Sequence, residues 1–391
     1  MIMGEKRQVY LDYSATTPVK KEVAAAMLPY FTEHFGNPSS LYTFGQEAKT
    51  ALRTAKEQVA GLVGAQASEI YFTGSGTEAD NWAVVGGAMW KRGKGRHVIT
   101  TEIEHHAVLH SAEYLAKEGF EVTYLPVGAD GLVRAEDLKG ALREDTTIVS
   151  VMFANNEIGT VQPIAELCRI AHDAGALFHT DAVQAAGSLP IDVGALGVDM
   201  MSLSAHKIYG PKGVGALYIK KGVNLPTYIH GGAQESGKRA GTENVAGIVG
   251  FGKAAELAGQ DFETRTKKIA GLRDYLVERV QGEIPDIRIN GCLEARLPGN
   301  INITFKYIEG EAIMLLLDMA GVSVSTGSAC TSASLAPSHV LKAIGVPVDE
   351  IHGSIRMTVG DFTVKEDVDY AVDTLKAAVE KLRSISALNG R

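Results

Sequence analysis

Short apolar runs alternate along the first two thirds of the chain with longer stretches in which apolar residues recur every three or four positions. Residues 70–73, 97–101, 122–127, 147–153, 176–180, 198–203 and 215–220 have strand length and little polar interruption, as strands covered on both faces do. Helical periodicity lies between and before them. Pro18 opens a stretch with Val23, Met27 and Phe31 on one face, and Phe44, Ala48, Ala51, Ala55, Val59 and Leu62 mark the inner face of a second. Further helices are predicted from Thr77, after His105, over 135–142 and over 164–173. Such a βαβα rhythm predicts an α/β fold built on a mainly parallel sheet.

After Gly241 the rhythm changes. Two long helical stretches run over 245–280, then strands (301–305, 322–326, 355–359) mix with helices (311–319, 364–382). Thr363 followed three residues later by Glu366 predicts a capping box for the last helix. Its stripe of Val368, Ala371, Val372, Leu375, Val379 and Leu382 is expected to pack on a sheet. A chain of 391 residues has room for two domains.

Composition narrows the function classes. A net charge of -8 gives no footing for nucleic-acid or anionic-membrane binding. No apolar run is long enough to span a bilayer, and the opening residues lack the apolar core of a secretory signal. Three cysteines, Cys168, Cys292 and Cys330, form no C-x-x-C pair, so no disulfide framework or zinc knuckle is expected. A reducing, cytoplasmic setting is the expectation.

Three constellations carry candidate chemistry. The 198–203 run delivers Ser204, His206 and Lys207 before Gly210-Pro211 breaks the chain, placing an amine at the rim of a sheet. A lysine partly desolvated there becomes easier to deprotonate and suits Schiff-base chemistry. Thr73-Gly74-Ser75-Gly76-Thr77 joins a strand to a helix start, where free N–H groups and the helix dipole attract phosphate. The same stretch fits G-x-G-x-x-A with Glu102 as a ribose acid, which keeps a nicotinamide-dependent oxidoreductase open. Asp181 ends another apolar run, 26 residues before Lys207, where it either caps a helix or faces a cationic ring nitrogen. His106 and His110, at i and i+4, leave a helix-face metal site as a further alternative to a role for His105 on a ring. Cys330 sits in a serine-rich run with nothing to anchor it in a core; Cys168 and Cys292 read as structural. Arg356 lies on a predicted strand with a fork suited to a carboxylate.

The phosphate-type turn, strand-end acid and strand-end lysine are the three grips needed for pyridoxal 5'-phosphate. With them, the chain resembles the cysteine desulfurases, in the class V branch of the fold-type I aminotransferases. The blocks that carry this are 11–18, 36–40, 73–81, Asn155-Asn156-Glu157-Ile158-Gly159, Ser204-Ala205-His206-Lys207, Arg239-Ala240-Gly241-Thr242-Glu243-Asn244 and Gly327-Ser328-Ala329-Cys330-Thr331-Ser332. The resemblance implies a large domain over 17–258 with a seven-stranded sheet, and a smaller α+β domain from 1–16 and 259–391. It implies that Lys207 bonds to the cofactor, Asp181 pairs with its ring nitrogen, and His105 stacks on the ring and assists proton transfers. Asn155 and Gln184 would serve the ring hydroxyl. Gly76, Thr77, Ser204 and His206 would hold the phosphate, with Thr242 reaching in from a second subunit of a homodimer. Arg356, Asn155 and Ala15 would bind L-cysteine. Cys330 would take its sulfur as a persulfide, in a loop long enough to pass it to an acceptor or iron–sulfur scaffold protein. The same fold also carries aminotransferases and β-lyases, for which Cys330 would be dispensable. Ala233, in place of a glycine, and Asp361, where many relatives have arginine, depart from the pattern.

Overall fold

The computed structural model describes residues 7–326 and 337–386. The chain opens with β1 (Val9–Tyr10), then α1 (Lys21–Met27), α2 (Pro29–Thr32) and α3 (Thr43–Val63). The predicted single helix after Pro18 is broken because Pro29 has no N–H to continue it, and Phe31 ends up exposed. Phe44, predicted to face inward, is half exposed and stacks on Phe35.

From here strands and helices alternate as the apolar pattern predicts: β2 (Ile70–Thr73), α4 (Gly76–Trp90), β3 (His97–Thr101), α5 (His106–Lys117), β4 (Glu121–Leu125), α6 (Ala135–Ala141), β5 (Thr146–Ser150), α7 (Ile164–Asp173), β6 (Leu177–Asp181), α8 (Val193–Leu196), β7 (Met200–Ser204) and β8 (Gly215–Ile219). The seven strands form one sheet in the order β2-β8-β7-β6-β5-β3-β4. Pairs within β7-β6-β5-β3-β4 are parallel, whereas β8 runs antiparallel to both β2 and β7. Core clusters on both faces, one around Phe178, Met201 and Phe251 and another around Trp82, Ile148 and Met200, explain the continuous apolar runs.

The remaining elements are α9 (Val245–Gly259), α10 (Phe262–Glu283), β9 (Ile287–Ile289), β10 (Asn300–Phe305), α11 (Gly310–Met319), β11 (Val322–Ser323), β12 (Ser325–Thr326), α12 (His339–Ala343), α13 (Val348–Ile351), β13 (Ser354–Thr358) and α14 (Lys365–Ile385). A four-stranded sheet, β12-β13-β10-β9, packs with α10 and α14 around its own core of Leu276, Phe305, Ile355 and Leu375. Val9 and Leu11 belong to that core, and β1 pairs with β11. The amino-terminal segment therefore leaves the second core and meets Lys207, just past β7 of the large sheet, at Ser14 and Ala15. The last helix begins one residue later than its predicted cap. Val364 N–H donates to Asp367 Oδ2 at 3.1 Å, while the Thr363 hydroxyl accepts from Gly360 N–H at 3.0 Å.

Candidate functional site

The carboxyl ends of β6 and β7 lie side by side, with Asp181 registered against Ser202. Strand ends in a parallel α/β sheet are where ligands bind. Here they meet the amino terminus of α4, the loop before α5 and the returning 12–15 segment around a cavity of about 330 Å³. That volume suits a small cofactor with its substrate.

The turn at the head of α4 is braced from outside the cavity. Ser75 caps the helix by accepting from Glu78 N–H at 3.1 Å, and Glu78 accepts from Gly74 N–H at 2.8 Å and Arg239 Nε at 2.8 Å. The N–H groups of Gly76 and Thr77 lie in the unpaired first turn of a 15-residue helix. A Cβ on Gly76 would come within 2.7 Å of Val183 Cγ2, so only glycine fits between the turn and the cavity floor.

Lys207 follows β7 by a single turn, Ala205–Lys207, and its Nζ donates to the carbonyl oxygens of Ser14 and Ala15. Gln184 Nε2 donates to the same Ser14 oxygen at 3.0 Å. Asp181 is buried and accepts from Val183 N–H at 2.9 Å. Burial raises its carboxyl to about 6, held there by that N–H and by the Lys207 charge. His105 caps α5 by accepting at Nδ1 from Ala107 N–H, which leaves the ring proton on Nε2. Burial pushes both His105 and His206 down to about 4, so both imidazoles are neutral at pH 7.

Arg356 reaches the cavity from β13 and is 2% exposed. Its Nη2 pairs with Asp12 at 2.8 Å and its Nη1 donates to the Asn156 carbonyl at 3.0 Å. Its Nε has no partner among the described residues. The arrangement offers a guanidinium to a carboxylate inside the cavity.

The expected residues separate into groups. Ala15, Gly76, Thr77, His105, Asp181, Gln184, Ser204, His206, Lys207 and Arg356 all line this one cavity. Asn155 sits behind its wall, and Asn156 lines it instead. The Asn155 amide is consumed by the turn: Nδ2 donates to Ile103 O, and Oδ1 accepts from Glu157 and Ile158 N–H. Thr242 is exposed in a separate groove with Gly74 and Arg239. Cys330 lies outside the described residues. Glu102 is exposed and does not line the cavity. The His106 ring stacks on His110 with centroids 5.2 Å apart and lies 5.0 Å from His339. Among the described residues, no group of three or more His, Cys, Asp or Glu is placed to hold a metal ion.

Sequence reasoning missed Asp80, Glu104, Glu157 and His339, all of which line the cavity. Asp80 shares a helix face with Thr77 and Glu104 precedes His105, so both were within reach of spacing arguments. Nothing local foretells His339, which α12 brings in from the far end of the chain.

The residues present fit pyridoxal 5'-phosphate: an anion-binding helix start with no room for a Cβ, a buried carboxyl at one strand end and an amine at the next. Comparison with known proteins agrees. The aminotransferase class-V family matches residues 9–371. The cysteine desulfurase IscS of Dictyoglomus turgidum is 56% identical over 381 residues, covering 97% of each chain. That of Methanosarcina thermophila is 54% identical, covering 99% of this chain and 96% of its own. A solved NifS-like protein superposes with a TM-score of 0.91 at 39% identity, covering 96% of this chain and all of the other. No helix among the described residues is long and apolar enough to cross a membrane. The chain belongs to the class-V aminotransferase family and, within it, to the pyridoxal-phosphate-dependent cysteine desulfurases, enzymes that convert L-cysteine to L-alanine.

Proposed function

We propose that Lys207 anchors the cofactor, and that the cavity at the β6 and β7 strand ends delivers sulfur from L-cysteine to Cys330. The observation that carries this reading is the convergence of Lys207, Asp181 and the Gly76 turn on one cavity. Pyridoxal 5'-phosphate, when bound, supplies an electron sink for the pair released as the substrate Cα proton leaves.

The chain's own groups do the rest. Gly76, Thr77, Ser204 and His206 hold the phosphate, and Asp181 faces the ring nitrogen as a carboxylate. His105, kept neutral, would stack on the ring, and Asn155 and Gln184 would serve its hydroxyl side. Arg356 forks the cysteine carboxylate beside Ala15, and Lys207 Nζ takes the Cα proton. The Cys330 thiolate forms an S–S bond to the substrate sulfur as the C–S bond breaks. The bonding pair stays with carbon, which is protonated to give alanine. The persulfide on Cys330 then passes to an acceptor protein; the IscS name of the relatives supports iron–sulfur cluster assembly.

A homodimer completes the site, with Thr242 turned toward the partner's phosphate. Leu28, Phe31, Phe35, Leu41, Tyr42 and Phe44 form an exposed apolar stretch, from 50% to 92% accessible, that supports such a contact. We also propose the division into a large domain over 17–258 and a small one from 1–16 and 259–391; the separate core around Phe305 and Leu375 supports it. The test is Cys330→Ser. Release of sulfur with alanine should stop while the cofactor's visible absorption stays, and undiminished turnover would remove Cys330 from the mechanism.

A further inference from the structure

Four carboxyl groups line the same cavity, those of Asp80, Glu104, Glu157 and Asp181, all at least nine-tenths buried. Glu157 accepts from Ser338 Oγ at 2.6 Å and feels the Arg356 charge, which leaves three. A cofactor ring offers one cationic N–H on that side, so three negative charges in a dry space would be badly matched. We infer that Asp80 and Glu104 are held there as neutral acids, leaving Asp181 the negative charge for the ring nitrogen, and that Glu104 is a positioning residue donating a hydrogen bond from Oε2 toward the bound ring. The inference rests on the cofactor site proposed above and extends it to two residues with no role so far.

Geometry fixes where the Glu104 proton sits. Oε1 accepts twice, from Thr101 Oγ1 at 2.8 Å and Met152 N–H at 2.9 Å. Oε2 is buried and has no partner among the described residues. A carboxylic acid whose first oxygen is saturated as an acceptor carries its O–H on the second. An unpartnered donor in a binding cavity is satisfied by the ligand.

The charged and titratable neighbours leave Glu104 without a cation of its own. His105 and His106 follow it, and His339 donates from Nε2 to its backbone oxygen at 3.0 Å; burial lowers all three imidazoles. Asp80 and Asp181 face it from α4 and β6, and Lys207 is committed to the Ser14 and Ala15 carbonyls and the cofactor. Burial raises Glu104 to about 8, and the Asp181 charge adds to the rise. Asp80 is pushed well up from the ordinary carboxyl range, first by burial and then by Asp181, with the Ser202 hydroxyl acting against the rise. Its Oδ1 is unpartnered, 3.7 Å from His179 Nε2. His179 cannot neutralise it: burial pushes that ring down to about 3, and Ser150 and Ser202 occupy its two nitrogens. Asp181, with its N–H donor and Lys207 nearby, is the group that ionises first.

Infrared spectroscopy of the holoenzyme tests this. At neutral pH the wild-type protein should show deuterium-sensitive carbonyl stretches of protonated carboxylic acids, one lost in Glu104→Gln and another in Asp80→Asn. The visible absorption of the wild type should shift as pH rises through about 8, and that shift should vanish in Glu104→Gln. At neutral pH, Glu104→Gln should keep cofactor affinity within about twofold while Glu104→Leu loses about tenfold. Infrared bands untouched by either isosteric change, or equal losses in the Gln and Leu variants, would overturn the inference. Protein that never takes up the coloured cofactor would instead count against the cofactor site, with the infrared bands still readable.

Discussion

Arg356 gains its orientation from a single acid. Asp12 and the Asn156 carbonyl hold two of its nitrogens, and the rest of the guanidinium faces the cavity. Asp12→Asn should raise the KM for cysteine more than it lowers kcat, by about tenfold in kcat/KM, a loss of ~1.4 kcal/mol. Steady-state kinetics checks this, and a pure kcat effect would contradict it. Titration at the cavity also leaves a mark on stability. Glu104 is raised to about 8 in the fold, so the native state holds a proton that the unfolded chain releases near the ordinary carboxyl pKa of ~4.3. Stability from this group is complete below that lower value and is lost as pH rises toward 8. His105 and His206 act in the opposite sense. They are neutral in the fold to about pH 4, so stability is lost as pH falls from ~6.5 through that value. The melting temperature should therefore fall on both sides of a maximum, and Glu104→Gln should remove the Glu104 loss across its whole window, flattening the alkaline limb and steepening the acid one. Thermal melts from pH 4 to 9 measure both limbs.

At the scale of elements, the pattern of apolar runs predicts the β2-to-β8 strands to within about three residues at either end and the helices α4 to α7 between them, though not the short α8, because a sheet buried on both faces demands such runs. Ends set by one side chain were less legible. Pro29 splits the first helix, and Thr363 turns to Gly360 in place of capping α14. The site residues at strand ends, Asp181 and Lys207, were readable because strand ends follow from the runs themselves. The setting of Asn155 was not, since its amide is bound within a turn that closes on Ile103, Glu157 and Ile158. The α4 turn carries a sharper prediction. Gly76→Ala forces a methyl to 2.7 Å from Val183, beside the proposed phosphate site. Equilibrium dialysis should show cofactor binding weakened about tenfold or more, and the melting temperature of the cofactor-free protein should fall as well, since Val183 must shift to admit the methyl.

At the scale of the molecule, the amino-terminal segment belongs to the second core yet supplies Ser14 and Ala15 to Lys207. Asp361, an unusual residue at its position by resemblance, ties Lys20 ahead of α1 at 2.6 Å and Arg265 of α10 at 3.4 Å. These contacts join the two cores at the site, and no local pattern announces them because their partners lie about a hundred residues or more apart. The exposed stretch around Phe35 and Leu41 makes a claim at the same scale. Phe35→Glu with Leu41→Glu should shift the sedimenting species from dimer to monomer, and an unchanged dimer would place the interface elsewhere. Everything about the catalytic site depends on where the cofactor is bonded. Borohydride reduction of the native protein, followed by peptide mass mapping, should find the reduced cofactor on the peptide containing Lys207; a label on any other lysine, or none, would contradict the account.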